Sequence, residues 1–388
     1  MAETQCYSVP LQNIKASRLK SFQDLGVKKE FIKGLNDLNI INPTEIQRQV
    51  IPLLLDGKTD LIGQANTGTG KTAAYGLPIL QQINPKKEVV QALILCPTRE
   101  LGQQIAKQLF KFTKYSDKIF TEAVYGGAPI DKQIADLRRP THIIVATPGR
   151  LIDLVNRKAV DLNYVKTVVL DEADEMLSMG FKKELDEILK FLTHVESKWL
   201  FSATIPEGIK DIIQQHMSPS AHNIVVANKD VVNKDILHQF LMCDESEKFT
   251  ILLHFLKSEH KNRGMVFCKT KVAAQNLAKQ LIAKNISADA LHGDLLQKER
   301  DKVMRAFKNE SLRILVATDI AARGIDIDSL SFVVHYQLPD KEEYYTHRSG
   351  RTARAGKKGI SLSIVTPTER KQLRFFQKQL NIEFMEVR

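Results

Sequence analysis

The sequence predicts an α/β protein of two tandem domains, each a mostly parallel sheet flanked by helices. Three observations carry that expectation. The chain runs to 388 residues, more than one hydrophobic core of ordinary size supports. Short β-branched runs alternate with longer amphipathic stretches, the pattern of β-α-β units. The second half of the chain then repeats the plan of the first.

In the first half the candidate strands are 92–96 (ALILC), 143–146 (IIVA), 167–170 (TVVL) and 199–201 (WLF). None alternates apolar with polar residues, as expected of strands covered on both faces. Around 227–235 the sequence turns polar and strand-poor (ANKDVVNK), which marks a linker between a first domain, 1–226, and a second, 236–388. The candidate strands of the second half are 264–268, 288–291, 314–317 and 332–335. Open parallel sheets bind ligands beyond the carboxyl ends of their strands, so chemistry is sought directly after these runs.

Composition narrows the class. Hydrophobic residues make up 43% and charged residues 26%, which describes a folded globular chain and excludes a disordered one. A net charge of +11 suggests a polyanionic partner, with RNA, DNA and acidic membrane surfaces all qualifying. Cys6, Cys96, Cys243 and Cys268 are widely spread, with no CxxC pair, and read as reduced core thiols in preference to disulfides or zinc ligands. The first twenty residues lack an apolar signal region, and no stretch reaches membrane-span length. A cytoplasmic protein with no membrane partner is therefore expected. No long apolar seam or heptad pattern is visible, so a monomer is expected.

Residues 65–72 (ANTGTGKT) follow the apolar 60–63 segment and precede a helix-compatible run. They have the form of a phosphate-binding loop, with Ala65 where the general pattern has glycine. Gly68, Thr69 and Gly70 let backbone N–H groups approach phosphate oxygens, Lys71 neutralises the β/γ-phosphates, and the Thr72 hydroxyl suits Mg²⁺. A hundred positions beyond Lys71, the apolar run 168–170 leads straight into Asp171-Glu172-Ala173-Asp174. Carboxylates capping a buried strand are costly unless they meet a metal or a cation. Asp171 is the expected Mg²⁺ partner, and Glu172 is placed to orient and deprotonate an attacking water.

These two motifs together resemble the DEAD-box family of ATP-dependent RNA helicases, built on the superfamily 2 helicase core. The resemblance runs from Phe22 to Gly356 and implies two RecA-like domains, ATP and Mg²⁺ as cofactors, and RNA as partner. In that family an upstream aromatic and a glutamine select adenine. Phe22, and Thr44 with Gln47 in the segment 43–47 (PTEIQ), match in type and spacing. A glutamine amide pairs with adenine N6 and N7 while a ring stacks on the base. Asn39-Ile40 departs from the glycine-aromatic pair the family often shows just before this segment. Ser202-Ala203-Thr204 resembles the family's Ser-Ala-Thr motif, and its hydroxyls, beside Asp174, would link the phosphate state to domain closure. In isolation the triplet reads as an ST-turn or helix cap.

His347-Arg348-Ser349-Gly350-Arg351-Thr352-Ala353-Arg354 is the strongest motif of the second half. Arg351 and Arg354, three apart on an expected helical face, match the family's arginine fingers, which meet charge spreading over the transferring phosphoryl group. Asp326 matches the aspartate the family places near the ribose. The residues expected to contact the RNA backbone are Pro97, Thr98, Arg99, Gly127, Thr147, Pro148 and Arg150 in the first domain. In the second they are Thr270, Gly293, Arg300, Thr318 and Gly324. Singly they read as caps and turns. Contacts to sugar and phosphate carry little sequence information, so weak sequence preference is expected for single-stranded or locally duplexed RNA. The segment 335–339 (HYQLP) departs from the family's common form, which has an asparagine and an aspartate there.

The resemblance implies RNA-stimulated ATP hydrolysis, interdomain closure and local duplex unwinding. An ATP-gated RNA clamp or assembly platform with little unwinding is the alternative, and a DNA translocase a third reading that the adenine-selecting segment disfavours. The chain ends at Arg388, soon after the second domain should be complete, so no accessory RNA-binding tail is expected.

Overall fold

The computed structural model describes residues 21–65, 68–226, 235–322, 330–353 and 358–387. The expected linker, along with Cys6, Gly324, Asp326 and Arg354, lies outside the described residues.

The first half supplies β1 (Leu61–Gln64), β2 (Ala92–Leu95), β3 (Thr121–Val124), β4 (Ile143–Ala146), β5 (Thr167–Asp171), β6 (Ser197–Ser202) and β7 (His222–Val225). They form one sheet in the order β3-β4-β2-β5-β6-β1-β7, with every pairing parallel. The second half supplies β8 (Ile236–Met242), β9 (Gly264–Phe267), β10 (Ala288–Leu291), β11 (Ile314–Ala317), β12 (Phe332–His335), β13 (Gly359–Val365) and β14 (Met385–Glu386). Their order, β10-β11-β9-β12-β13-β8-β14, is that of the first sheet with each strand advanced by seven places. The two halves are therefore one doubly covered parallel design used twice.

The apolar runs behave as strands buried on both sides. In β2, Ala92 and Ile94 enter one core while Leu93 and Leu95 enter another across the sheet. β11 does the same in the second domain, with Ile314 and Val316 on one face and Leu315 and Ala317 on the other. The strands absent from the sequence reading have separate causes. β3, β7 and β14 lie at or near sheet edges and are partly exposed, so they carry no continuous apolar run. In β1, a Cβ on Gly63 would stand 2.8 Å from the Phe201 ring, so close strand packing demands a residue that hides the strand's character.

β8 and β13 are masked differently, by polar side chains inside a core. His238, His335, Tyr345, Ser349 and Ser361 are all buried. His238 Nδ1 lies 2.7 Å from the Tyr345 hydroxyl, His335 Nε2 lies 3.1 Å from Ser361 Oγ, and Ser349 Oγ lies 2.9 Å from Ser361 Oγ. Hydrogen bonds within the network offset the cost of burying these groups. Cys96, Cys243 and Cys268 are buried free thiols. Among the described residues no helix is long and apolar enough to cross a membrane.

Burial holds both imidazoles below the ordinary histidine range, His238 at about 4 and His335 well below its usual value. Neutral in the fold but titrating near 6.5 when unfolded, they withdraw stability as pH falls below that value. The second domain should therefore melt at lower temperature at pH 5 than at pH 7, with His238 alone costing about 2 kcal/mol. His335→Asn should remove part of the slope, and equal midpoints at the two pH values would contradict the assignment.

Candidate active site

The phosphate-binding loop leaves β1 at Ala65, whose N–H donates to Ser202 O at 3.0 Å and so ties it to the end of β6. Gly68 and Gly70 adopt left-handed backbone, with φ of 81° and 90°. A Cβ on Gly70 would stand 2.4 Å from Gln47 Nε2, so a side chain is excluded by conformation and by space. Lys71 opens the helix Lys71–Gln82. It is buried, and its Nζ donates to Ala65 O at 3.1 Å.

The expected adenine-selecting segment packs directly on this loop. Gln47 Oε1 accepts from Thr44 N–H at 2.9 Å, and Gln47 Nε2 donates to Gly70 O at 3.0 Å. One amide N–H and one lone pair remain for a ligand. Phe22 is buried in a core with Leu25, Val27 and Phe31, so its ring serves packing in this arrangement.

β5 delivers the acidic cluster. Asp171 is buried, with Oδ2 accepting from the Tyr75 hydroxyl at 2.8 Å and Oδ1 accepting from Glu172 N–H at 3.0 Å. Burial raises its carboxyl above the usual range against the opposing effects of Lys71 and Tyr75. Glu172 has φ 51° and ψ 52°, left-handed backbone on a residue with a Cβ. Such strain persists where the surroundings over-determine it and concentrates at functional sites. Burial, opposed by Lys71 and reinforced by Asp171, pushes the Glu172 carboxyl up to about 7. A base near 7 is well matched to proton abstraction at neutral pH.

Asp174 meets the Ser-Ala-Thr triplet closely. Its Oδ2 accepts from Thr204 N–H at 2.8 Å and from Thr204 Oγ1 at 2.9 Å, while Asp174 N–H donates to Ser202 Oγ at 3.2 Å. Its neighbour Glu175 reaches the other domain, with Oε1 2.8 Å from His347 Nδ1. Burial alone would lower the His347 pKa, but the Glu175 hydrogen bond and the charges of Glu175, Asp174 and Glu172 prevail and raise it. Between the domains lies a narrow cleft lined by Lys71, Glu172 and Asp174 from one side and by His347, Arg348 and Arg351 from the other.

The helical spacing expected for the two arginines is not what holds Arg351. The helix Glu342–Ser349 is closed by Gly350, and Ala353 turns back with φ 55°. Arg351 therefore projects into the cleft from the turn beyond the helix. The fully buried arginine is Arg348, whose Nε and Nη2 donate to the Asp319 carboxylate at 2.6 and 2.8 Å while Nη1 donates to Gln337 O at 2.8 Å.

The residues expected along RNA fall at equivalent places in the two sheets. Thr98 follows β2 and Thr270 follows β9. Gly127 lies beyond β3 and Gly293 beyond β10, and Thr147 follows β4 as Thr318 follows β11. Thr98 and Thr270 also cap helices, accepting from Leu101 N–H at 3.3 Å and Ala273 N–H at 3.1 Å. Pro148 opens the helix Pro148–Asn156. The arginines of this track are engaged within the protein. Arg300 Nε donates to Glu100 Oε1 across the cleft at 2.6 Å, Arg99 pairs with Asp301 at 3.5 Å, and Arg150 donates to Gln133 Oε1 at 2.9 Å and Ala128 O at 3.0 Å. Sequence reasoning gave no role to Tyr75 or Glu175; it set Glu100 and Asp319 within segments expected along the RNA and did not foresee their pairs with Arg300 and Arg348. Spacing offers a signal only for Tyr75, which lies one helical turn after Thr72.

Fold and cleft together define a helicase core of two RecA-like domains that hydrolyses ATP between them. Residues 44–212 match the DEAD/DEAH box helicase domain and 247–356 the helicase conserved C-terminal domain. The chain is 42% identical over 360 residues to the DEAD-box ATP-dependent RNA helicase CshA of Bacillus cereus, covering 93% of this chain and 68% of that one. Among solved structures it resembles S. cerevisiae Dbp5 bound to RNA and ADP BeF3, at 32% identity, 95% coverage of each chain and a TM-score of 0.87. A DEAD box protein from the hyperthermophile Methanococcus jannaschii is 37% identical, with 95% of this chain and 99% of that one covered, at a TM-score of 0.55. The chain belongs to the DEAD-box ATP-dependent RNA helicase family.

With Glu172 as base, kcat/KM for ATP should fall as pH drops through about 7, because the protonated carboxyl accepts no proton. Glu172→Gln should lower kcat by at least ~100-fold, and a profile flat from pH 6 to 8 would exclude that role. Asp319→Ala leaves the Arg348 charge buried without its partner. It should destabilise the second domain by about 3 kcal/mol in a denaturant titration, and a loss within error of zero would mean that another group meets Arg348.

Proposed function

We propose that this protein couples RNA-stimulated ATP hydrolysis to closure of its two domains, binding the backbone of single-stranded RNA and unpairing short duplexes locally. The carrying observation is that the cleft is lined from both sides, with Lys71 and Glu172 facing His347 and Arg351. Neither domain alone assembles that set. Lys71 neutralises the β- and γ-phosphates, Glu172 takes a proton from the attacking water, and Arg351 meets charge developing on the phosphoryl group. Arg354 and Asp326, outside the described residues, are proposed for the γ-phosphate and the ribose. Gln47, with its remaining donor and acceptor, is proposed to read adenine.

Thr72 and Asp171 suit a hard divalent cation. They offer oxygen only, and the described residues hold no group of three or more His, Cys, Asp or Glu able to cage a metal. That is the donor set of Mg²⁺, which takes one or two protein ligands and completes its shell with phosphates and water. Bound there, the ion would neutralise charge on the phosphate oxygens.

Because ATP and RNA both span the cleft, each favours the closed arrangement and by linkage tightens the other. The similarity to Dbp5 held with RNA and ADP BeF3 supports reading the present arrangement as that closed form. Contacts from strand-end loops and helix N-termini reach phosphate and sugar, so weak sequence preference follows. The protein is proposed to act as a cytoplasmic monomer.

Steady-state ATP hydrolysis with and without single-stranded RNA tests the coupling, using single-stranded DNA and Glu172→Gln as controls. Stimulation by RNA alone, abolished in the variant, is the expected result. Equal response to RNA and DNA, or to neither, would overturn it.

A further inference from the structure

We infer that the Tyr75 hydroxyl is a positioning group for the metal site, holding the Asp171 carboxylate in the orientation that a Thr72- and phosphate-bound Mg²⁺ requires. The inference deepens the proposed function and rests on its assignment of Thr72 and Asp171 as the metal pair.

Three observations carry it. Tyr75 is fully buried, and its hydroxyl donates to Asp171 Oδ2 at 2.8 Å. Thr72 lies one turn earlier on the helix Lys71–Gln82, on the same face. The phenol thus ties the helix that carries Thr72 to Asp171, 99 positions further along the chain from Thr72. Finally, the other Asp171 oxygen is fixed by Glu172 N–H at 3.0 Å, so donors from two separate elements define the plane of the carboxylate.

Chemistry distinguishes this from a tyrosine that merely satisfies its hydroxyl in a core. A carboxylate oxygen accepts more than one hydrogen bond, so each oxygen of Asp171 keeps a lone pair for the ion or its water while the protein holds the group still. Partners of metal-binding carboxylates act this way, and removing one typically costs 10–100-fold in metal affinity. The ring has its own anchor, a tilted contact with Phe201 at 5.3 Å between centroids. Deleting the oxygen alone therefore leaves the packing in place.

The test is equilibrium binding of a fluorescent non-hydrolysable ATP analogue, titrated with Mg²⁺, to the full chain as wild type, Tyr75→Phe and Asp171→Asn. Tyr75→Phe should leave the Mg²⁺-free affinity unchanged and raise the Mg²⁺ midpoint by about tenfold, with an unaltered circular dichroism spectrum. If Asp171→Asn abolishes the Mg²⁺ effect while Tyr75→Phe keeps the wild-type midpoint, the positioning role is overturned and the metal pair stands. If neither variant moves the midpoint, the metal pair itself is wrong and the inference falls with it. A loss of affinity in Tyr75→Phe that is equal with and without Mg²⁺ would assign Tyr75 a structural role only, and would also overturn the inference.

Discussion

Four carboxylates in five residues at the end of a fully buried strand set the terms for everything around them. Asp171, Glu172, Asp174 and Glu175 leave β5 into a region where charge is poorly solvated and like charges raise one another's pKa. Each is met differently. Asp171 has the Tyr75 hydroxyl and the Lys71 charge, Asp174 has both polar groups of Thr204, and Glu175 has His347. Among the described residues Glu172 meets only the opposing charges of Lys71 and Arg351, and burial pushes its carboxyl up to about 7. The group least compensated by the protein is the one whose proton affinity suits catalysis. Two of the balancing residues, His347 and Arg351, belong to the second domain, so the electrostatics of the first domain are complete only with the second domain in place.

The repeated sheet offers two sets of strand ends, one for the proposed nucleic-acid track and one for the proposed nucleotide site. In each domain the half of the sheet containing β2, β3 and β4, or β9, β10 and β11, ends in threonine- and glycine-bearing loops. In the first domain the other half ends in the residues proposed for the nucleotide, with Ala65 after β1, Asp171 at the end of β5 and Ser202 at the end of β6. Asp174 spans the junction between β5 and β6 by holding Thr204 beyond the end of β6. A change at the phosphates is therefore one hydrogen-bonded step from the loop that follows β6, and one residue from the ion pair that crosses to the second domain.

Much of this was legible in the sequence because burial on both faces leaves continuous apolar runs, and ligand chemistry follows them at once. Seven of the eight strands forecast begin and end within a residue of their observed limits, and β4, β10, β11 and β12 coincide with them. What stayed hidden had contrary local signals. β8 and β13 carry His238, Ser361 and Ser363 in a core, and polar residues in an apolar strand read as surface. Arg351 was placed on a helix by its spacing, but Gly350 ends that helix and spacing cannot see a stop that depends on tertiary packing. Thr98 and Thr270 show that the plain and the functional readings need not compete. A threonine that caps a helix at a strand end also aims that helix's N-terminal N–H groups at the cleft, where an anion is favoured. The ties through Glu100, Glu175 and Asp319 join residues far apart in the chain, and a single sequence carries no trace of such pairs.

The ions that join the two domains also limit how tightly the protein can close unaided. Arg300 and Glu100 are mostly buried, whereas Asp301, the partner of Arg99, is half exposed. Exposed pairs contribute ~0–1 kcal/mol each and weaken with salt, and buried ones repay much of their Coulomb energy in desolvation. A greasy seam would have held the domains together permanently. Charged pairs around a polar cleft hold the domains weakly, so in the proposed cycle the free energy that decides closure comes from what enters the cleft. That is the condition under which a ligand spanning both domains shifts the population strongly, and it makes the polar character of this interface part of the coupling proposed above.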